Sequence, residues 1–220
     1  MSPKVGRSAD WYFDVVSPYA YLHFVAFDQL PDDLEIHLKP VLFAGLLGHW
    51  GSLGPAEIPA KRRQTFRYCD WLARQRGVPF RTPPRHPFNP LTLLRLIIAL
   101  GTTQDAVAGV FRHVWGEGKE CQEMAALRPL AASLGIGDLD AAIAAPAVKD
   151  QLRANTDEAI ARGVFGVPTF AVGDELFWGQ DTLPMMCDYL ADPDGFRAGD
   201  WARLHDLPVA AAREQSRLDG

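Results

Sequence analysis

One short stretch of the sequence joins an apolar run to a serine, a proline and a helical pattern. "FDVVSPYAYL", residues 13 to 22, passes from β-prone residues directly into Ser17 and Pro18. Serine is a preferred N-cap residue and proline suits the first helical position, so the pair predicts the start of a helix. The same placement brings the Ser17 hydroxyl beside free backbone N–H groups and the positive end of a helix dipole. The stretch therefore predicts either a plain helix cap or an anion-binding serine.

The cysteines and histidines show no spacing typical of a metal site or a disulfide framework. Cys69, Cys121 and Cys187 are odd in number, far apart and without a C-x-x-C pair. This usage favours a reducing compartment and buried structural thiols, with a reactive role left open for each. The six histidines show no metal-ligand spacing, and no carboxylate pair demands a metal. We expect no metal.

The elements that must position Ser17 begin with a strand, a helix and a second strand. "WYFDVV" (11–16) is β-branched and aromatic, "YAYLHFVAFDQL" (19–30) has a helical pattern, and "LEIHLKPVLF" (34–43) alternates as a strand. This order predicts a right-handed βαβ unit with parallel strands.

A second strand-forming segment lies near the other end of the chain. "VPTFAVG" and "LFWG" flank a tight turn at "GDE", which predicts a hairpin, and "DTLPMMCDYLAD" predicts a closing helix. We expect a short helix at "WARLHDL" and a frayed end at "AAAREQSRLDG".

Between these segments the sequence is Gly/Pro-rich from Gly45 to Pro59 and helical beyond it. Helices of this length with short connections make a compact helical block. The predicted fold class is α/β, with the order βαβ, a helical insertion, then ββα. The predicted domains are an α/β domain formed by 8–45 and 164–192, an inserted helical domain over 46–163, and a C-terminal tail over 193–220.

Composition argues against several classes of partner. The chain of 220 residues has 48% hydrophobic and 22% charged residues and a formal net charge of −5. This acidic balance does not favour nucleic acid or an anionic membrane surface, and the basic run "KRRQTFR" is typical of a solvated helix face. The first residues lack the apolar core of a signal peptide, and no segment has the ~18 apolar residues needed to span a bilayer. We expect a cytoplasmic protein.

Several separated motifs carry a family resemblance. With its order of elements and Val167-Pro168 opening the third strand, the chain resembles the thioredoxin-like superfamily, and its insertion is similar to that of DsbA-type proteins. "SPYAYL", "RTPPRHPFNPLTLLR", "VWGEGKE" and "VFGVPTFAVGDELFWGQDTL" are similar to sequences of kappa-class glutathione transferases and 2-hydroxychromene-2-carboxylate isomerases. The resemblance covers about residues 10–190.

This resemblance implies a glutathione site at Ser17. Thioredoxin-like oxidoreductases place a C-x-x-C where this chain has Ser17-Pro18-Tyr19-Ala20, so dithiol chemistry is absent. The resemblance implies that Ser17 stabilises the thiolate of bound glutathione, because a hydroxyl hydrogen bond favours the charged form of a thiol. It also implies a cis peptide before Pro168 and backbone contacts from Val167 to glutathione, as in strand addition. An ordinary trans proline at the edge of a strand is the alternative.

Further glutathione contacts follow from the same resemblance. Asp181 and Thr182 would hold the γ-glutamyl end, unless they serve only as N-cap residues. Ser52 stands where the family often has asparagine, and Thr182 where it often has arginine; both departures put the affinity for glutathione in doubt. Lys61 matches a position near glutathione or substrate, and its alternative is an exposed lysine in the first turns of a helix.

The resemblance also implies an aromatic substrate. Phe88, Asn89 and Trp50 would line the substrate pocket, although Pro87 and Pro90 can explain that loop as a plain turn. Trp115 and Trp178 would be pocket walls or core residues.

The implied activity is a glutathione-dependent isomerase of aromatic catabolism. It would interconvert 2-hydroxychromene-2-carboxylate and trans-o-hydroxybenzylidenepyruvate, with glutathione as cofactor, a small aromatic oxo-acid as substrate and a homodimer as the assembly. The alternatives are a kappa-class glutathione transferase or peroxidase and a noncatalytic binding protein for thiol peptides.

Overall fold

A four-stranded mixed sheet carries the segments that meet at the site. The computed structural model describes residues 7–205 and 207–211, and its sheet has the strand order β2-β1-β3-β4. β1 pairs with β2 in parallel and with β3 antiparallel, and β3 pairs with β4 as a hairpin. The predicted βαβ unit and the predicted hairpin are both confirmed. The strands are β1 (Arg7–Phe13), β2 (Leu34–Pro40), β3 (Thr169–Val172) and β4 (Glu175–Trp178).

Ten α-helices occur in the described residues, seven of them between β2 and β3. Short 3-10 turns occupy Phe27–Gln29, Pro55–Glu57 and Gly195–Arg197, and a π-helical turn occupies Arg112–Gly116. No helix of the described chain is both long and apolar enough to cross a membrane. The helices are α1 (Pro18–Phe24), α2 (Phe43–Trp50), α3 (Pro59–Arg76), α4 (Leu91–Ala99), α5 (Gln104–Phe111), α6 (Met124–Ser133), α7 (Leu139–Ala144), α8 (Pro146–Ala161), α9 (Leu183–Ala191) and α10 (Gly199–His205).

Two local predictions differ from the structure. The segment predicted as Gly/Pro-rich coil from Gly45 begins inside α2, because its glycines are tolerated until Gly51 ends the helix with φ of 59°. The long helical pattern after residue 138 is two helices, since Pro146 begins α8 and leaves Ala145 in an extended conformation.

The chain divides into two units, one ending at Leu183 and the other beginning at Pro184. In the second unit α10 confirms the predicted short helix, whereas residues 212–220 of the predicted frayed end lie outside the described residues. The division into a domain of 8–45 and 164–192, an insertion over 46–163 and a tail over 193–220 stays a prediction.

The central strand is held to α8 by a partly buried polar network. The Tyr12 hydroxyl donates to Glu158 Oε1 at 2.8 Å, and Lys39 Nζ donates to Glu158 Oε2 at 3.0 Å. Arg162, just after α8, binds Asp10 and donates to Tyr12 Oη at 3.3 Å. It also donates to the Gly173 carbonyl at 2.6 Å, so one guanidinium joins β1 to the β3–β4 turn. These bonds fix β3, and with it Val167-Pro168, against β1.

Candidate active site

Ser17 lies where β1 leads into α1, as its sequence predicts. It is the N-cap of α1, and its Oγ accepts a hydrogen bond from the Ala20 N–H at 3.3 Å. The same hydroxyl donates to the Val167 carbonyl at 3.5 Å, a long hydrogen bond between residues that are 150 positions apart. A bond this long is easily exchanged, so the Ser17 hydroxyl proton is available to a stronger acceptor.

The Val167–Pro168 peptide is cis, as the family resemblance implies. Val167 is buried, and its backbone N–H donates to no group in residues 7–205 or 207–211. Gly166 leaves room beside it for the Trp178 indole, since a Cβ there would stand 2.5 Å from Trp178 Nε1. Val167 therefore offers an unused backbone donor next to Ser17, which suits an extended peptide-like ligand.

Both residues line one large cavity. Its volume is about 1050 Å³, and all of its lining residues lie between Asp14 and Thr182, within the first unit. That space is sufficient for a small ligand together with a second molecule. Eight of the ten predicted site residues line it: Ser17, Ser52, Lys61, Phe88, Val167, Pro168, Asp181 and Thr182.

The predicted γ-glutamyl contacts lie together with a residue that the sequence did not single out. Gln180 is buried, lines the cavity and accepts a hydrogen bond on Oε1 from Arg76 NH2 at 2.7 Å. Because a guanidinium only donates, the side-chain nitrogen of Gln180 must point the other way. Asp181 is exposed, and the Thr182 hydroxyl donates to the Gly179 carbonyl at 2.9 Å. Adjacency to Asp181 was the available sequence signal for Gln180.

Lys61 and Phe88 contribute opposite kinds of surface. Lys61 is exposed in the first turn of α3 and has no partner within the described chain, whereas Phe88 is 5% exposed and supplies an apolar wall. Ser52 is exposed after α2, at the rim. The aromatic pair Phe165 and Trp178, with ring centroids 5.0 Å apart, lies at the exposed edge.

Three predicted pocket residues do not line the cavity. Trp50 Nε1 donates to the Val164 carbonyl at 3.0 Å, and its ring lies outside the cavity. Asn89 accepts from the Leu91 N–H at 3.1 Å and stabilises the start of α4. Trp115 is fully buried and donates to the Val15 carbonyl at 2.8 Å, so it is a core residue. The burial of Trp115 agrees with its core alternative, whereas Trp50 and Asn89 do not belong to the lining of this cavity.

Asp14 is a cavity residue that sequence analysis missed. It has no exposed surface, its Oδ1 accepts from the Val16 N–H at 2.9 Å, and its Oδ2 accepts from the Phe43 N–H at 2.9 Å. Burial raises the pKa of Asp14 from 3.8 to about 7, and the two backbone hydrogen bonds only partly oppose that rise. The signal for it was a charged residue inside the apolar run "WYFDVV".

His86 is a second missed residue. Its Nε2 lies 2.8 Å from the Val16 carbonyl, and because a carbonyl only accepts, Nε2 carries the proton. Its Nδ1 is buried without a partner in the described chain. Burial lowers the pKa of His86, the hydrogen bond to the Val16 carbonyl partly opposes that lowering, and the nearby Arg62 adds to it. Nothing in the local sequence indicated this contact across 70 positions.

The chain provides no nucleophilic thiol at the cavity. None of the three cysteines belongs to the described residues that line it. Burial raises the pKa of Cys69 and of Cys121 to about 12 each, which makes both thiols unreactive. In the described part of the chain, no cluster of three or more His, Cys, Asp or Glu side chains is arranged to hold a metal ion.

Comparison with models of protein families shows which family the chain belongs to. Residues 9–191 match the DSBA-like thioredoxin domain, which is most of the chain. The chain belongs to the DSBA-like thioredoxin family. The predicted fold class, a thioredoxin-like sheet with many inserted helices, is confirmed.

Individual relatives are named for two activities. Glutathione s-transferase kappa 2 of Caenorhabditis elegans is 29% identical over 205 residues, covering 83% of this chain and 91% of that protein. The 2-hydroxychromene-2-carboxylate isomerase of Sphingobium xenophagum is 28% identical over 197 residues, covering 84% and 99%. The resemblance inferred from the sequence motifs is therefore confirmed.

Solved structures agree with the fold. A 2-hydroxychromene-2-carboxylate isomerase structure superposes with a TM-score of 0.70 and 26% identity, over 92% of this chain and 100% of that one. A probable DsbA oxidoreductase from Streptomyces coelicolor superposes with a TM-score of 0.66 at 18% identity, over 88% and 92%. The second likeness concerns the fold alone.

Proposed function

We propose that the protein is a glutathione-dependent isomerase that interconverts 2-hydroxychromene-2-carboxylate and trans-o-hydroxybenzylidenepyruvate. The observation that carries the proposal is the convergence of the Ser17 hydroxyl and the unused Val167 N–H on one large cavity that holds no thiol of its own. A thiol-dependent reaction in this cavity would need its thiol from a ligand. The relatives named for this isomerase activity support the proposal.

The residues present fit glutathione. A tripeptide can add to the free edge at Val167, whose N–H has no partner in the described chain. The exposed Asp181 carboxylate suits an α-ammonium group, and the Gln180 side-chain nitrogen suits an α-carboxylate. Lys61 would add a positive charge to the cavity wall. Ser52 and Thr182 supply hydroxyls in place of the longer family side chains.

When bound, glutathione supplies a thiolate that adds reversibly to a conjugated double bond, which permits rotation about that bond. The task of Ser17 is to favour the charged form of this thiol by donating its hydroxyl proton, in exchange for its long bond to Val167. Phe88 and Phe66 supply apolar surface for an aromatic ring, and Lys61 or Arg62 can pair with a substrate carboxylate.

The direct test compares Ser17→Ala with Thr103→Ala. Thr103 is an N-cap of the same kind, whose hydroxyl accepts from the Ala106 N–H at 3.2 Å, but it lies outside the cavity. Each substitution should lower the free energy of unfolding by about 1 kcal/mol. Only Ser17→Ala should lower isomerase turnover, on the order of a hundredfold, because it removes a donor to developing charge.

Three results would contradict the proposal. Full isomerase turnover in Ser17→Ala would leave Ser17 as a plain helix cap, and no binding of reduced glutathione would favour a noncatalytic binding protein. Stoichiometric loss of free thiol with a halo-aromatic acceptor would favour a kappa-class transferase, the activity for which the Caenorhabditis elegans relative is named. The homodimer stays a prediction.

A further inference from the structure

Val16, the residue before Ser17, has both of its backbone polar groups hydrogen-bonded to side chains, one two positions before it and the other 70 positions after it. The Val16 N–H donates to Asp14 Oδ1 at 2.9 Å, and the Val16 carbonyl accepts from His86 Nε2 at 2.8 Å. Loop backbone is commonly bonded to water or to other backbone, whereas here the buried Asp14 carboxylate and the half-buried His86 ring both bond to one residue. We call these two side chains and Val16 the Val16 clamp.

Both ends of the Val16 clamp are anchored. The second carboxylate oxygen of Asp14 accepts from the Phe43 N–H at 2.9 Å, which ties the loop to the start of α2. The His86 ring packs edge-on against Phe66 and lies 5.5 Å from the Trp115 ring. Arg62 donates to the His86 carbonyl at 2.5 Å. Through these contacts the clamp joins the loop that carries Ser17 to α2 and α3.

The direction of the Ser17 hydroxyl depends on the Val16–Ser17 peptide unit, whose carbonyl is bonded to His86. Rotating the Val16–Ser17 peptide would move Oγ relative to both Val167 and the cavity, and a displacement of about 0.5 Å is enough to weaken a catalytic contact. Both clamp side chains line the same cavity as Ser17. His86 Nδ1 is buried and has no hydrogen-bond partner within the described residues.

We propose that Asp14 and His86 are positioning residues that hold the backbone at Val16 so that the Ser17 hydroxyl faces the thiol of bound glutathione. This inference rests on the proposed function. Neither residue contacts the reacting atoms in this role; both act through Ser17. Loss of the clamp should leave glutathione bound and its sulfur less ionised.

The test uses three histidine variants. His86→Leu removes the donor to Val16, and His86→Gln keeps a donor. His113→Leu is the matched control, because buried His113 lies 3.0 Å by its Nε2 from the Glu120 carbonyl but does not line the cavity. The readout is the pKa of the bound glutathione thiol, followed by thiolate absorbance, together with the affinity for S-methylglutathione.

We expect His86→Leu to raise the bound thiol pKa by roughly one unit toward the free value of about 8.5, a tenfold loss of thiolate below that pH. His86→Gln should recover at least half of the shift, and His113→Leu should cause none. S-methylglutathione should bind the variants within about twofold of the wild-type affinity. In a Ser17→Ala background, His86→Leu should have no further effect, because the clamp acts through Ser17.

Asp14 is tested by amide hydrogen exchange, since removal of its negative charge would itself alter the thiol pKa. Asp14→Asn leaves one acceptor oxygen for two N–H donors, so exchange in the Val16–Ser17 segment should rise at least about tenfold relative to α4. His86→Leu should raise exchange in the same segment.

The outcomes separate the clamp from the proposed function. Unchanged exchange in both variants, or a thiol shift that persists in the Ser17→Ala background, would overturn the clamp even if wild-type protein binds glutathione as thiolate. Wild-type protein that does not lower the glutathione thiol pKa would overturn the proposed function and the catalytic part of this inference, while the exchange result would still decide whether the clamp orders the loop.

Discussion

The buried carboxyl of Asp14 should make the stability of the protein depend on pH. Its pKa is raised from 3.8 to about 7 in the folded chain, chiefly by burial. A carboxyl with a raised folded pKa binds its proton more tightly in the folded state than in the unfolded state. Its contribution to stability is therefore fully present below about pH 4 and is lost as pH rises through about 7.

The size of this effect follows from the shift. Roughly three pKa units at about 1.4 kcal/mol each give about 4 kcal/mol of unfolding free energy, lost between about pH 4 and pH 7. Asp14→Asn removes the titration and adds a cost of about 1–3 kcal/mol, because one N–H of Val16 or Phe43 loses its acceptor. The wild-type protein should be the more stable at pH 4.5, and the variant equal or more stable at pH 8.

The assay is urea unfolding of both proteins, followed by tryptophan fluorescence at several pH values from 4.5 to 8.5. Asp138→Asn, at an exposed N-cap carboxylate of α7, gives the response of a surface position, and the Asp14 result is read relative to it. A stability difference that stays constant within about 1 kcal/mol across this range would refute the argument. A difference that grows in favour of wild-type protein with rising pH would show that the two backbone hydrogen bonds outweigh burial.

Two further predictions concern the polar network and the thiols. Arg162→Leu should lower the free energy of unfolding by about 2 kcal/mol, because it breaks a partly buried ion pair with Asp10 and the bonds to Tyr12 and Gly173. Arg74→Leu, at an exposed ion pair, should change the free energy of unfolding by less than about 0.5 kcal/mol. Equal effects of the two substitutions in urea unfolding would contradict this prediction. In a thiol-reagent titration at pH 8, Cys69 and Cys121 should stay unreactive until the chain is unfolded, because burial raises their pKa values to about 12. Rapid labelling of either cysteine in the folded protein would contradict this expectation.

The local pattern of residues was enough to predict most elements. Alternation and β-branched residues marked the strands, and Ser17-Pro18 marked the start of α1, because caps and periodicity depend only on near neighbours. The absence of C-x-x-C at residues 17–20 was also decisive, since it removes dithiol chemistry whatever the fold. Helix α2 was missed because its glycines weaken a helical pattern that tertiary contacts nevertheless stabilise.

The make-up of the site was decided by tertiary structure. Asp14, His86 and Gln180 reach the cavity through bonds to Phe43, Val16 and Arg76, and no local pattern reports partners 29 to 104 positions away. Trp50 and Asn89 have the right chemistry for a pocket but do not line this cavity: Trp50 donates to a carbonyl 114 positions away, and Asn89 accepts from the N–H of Leu91. The sequence by itself determined the order of the elements and the lost thiols, whereas packing determined which polar groups face Ser17, because burial and long-range hydrogen bonds exist only in the folded chain.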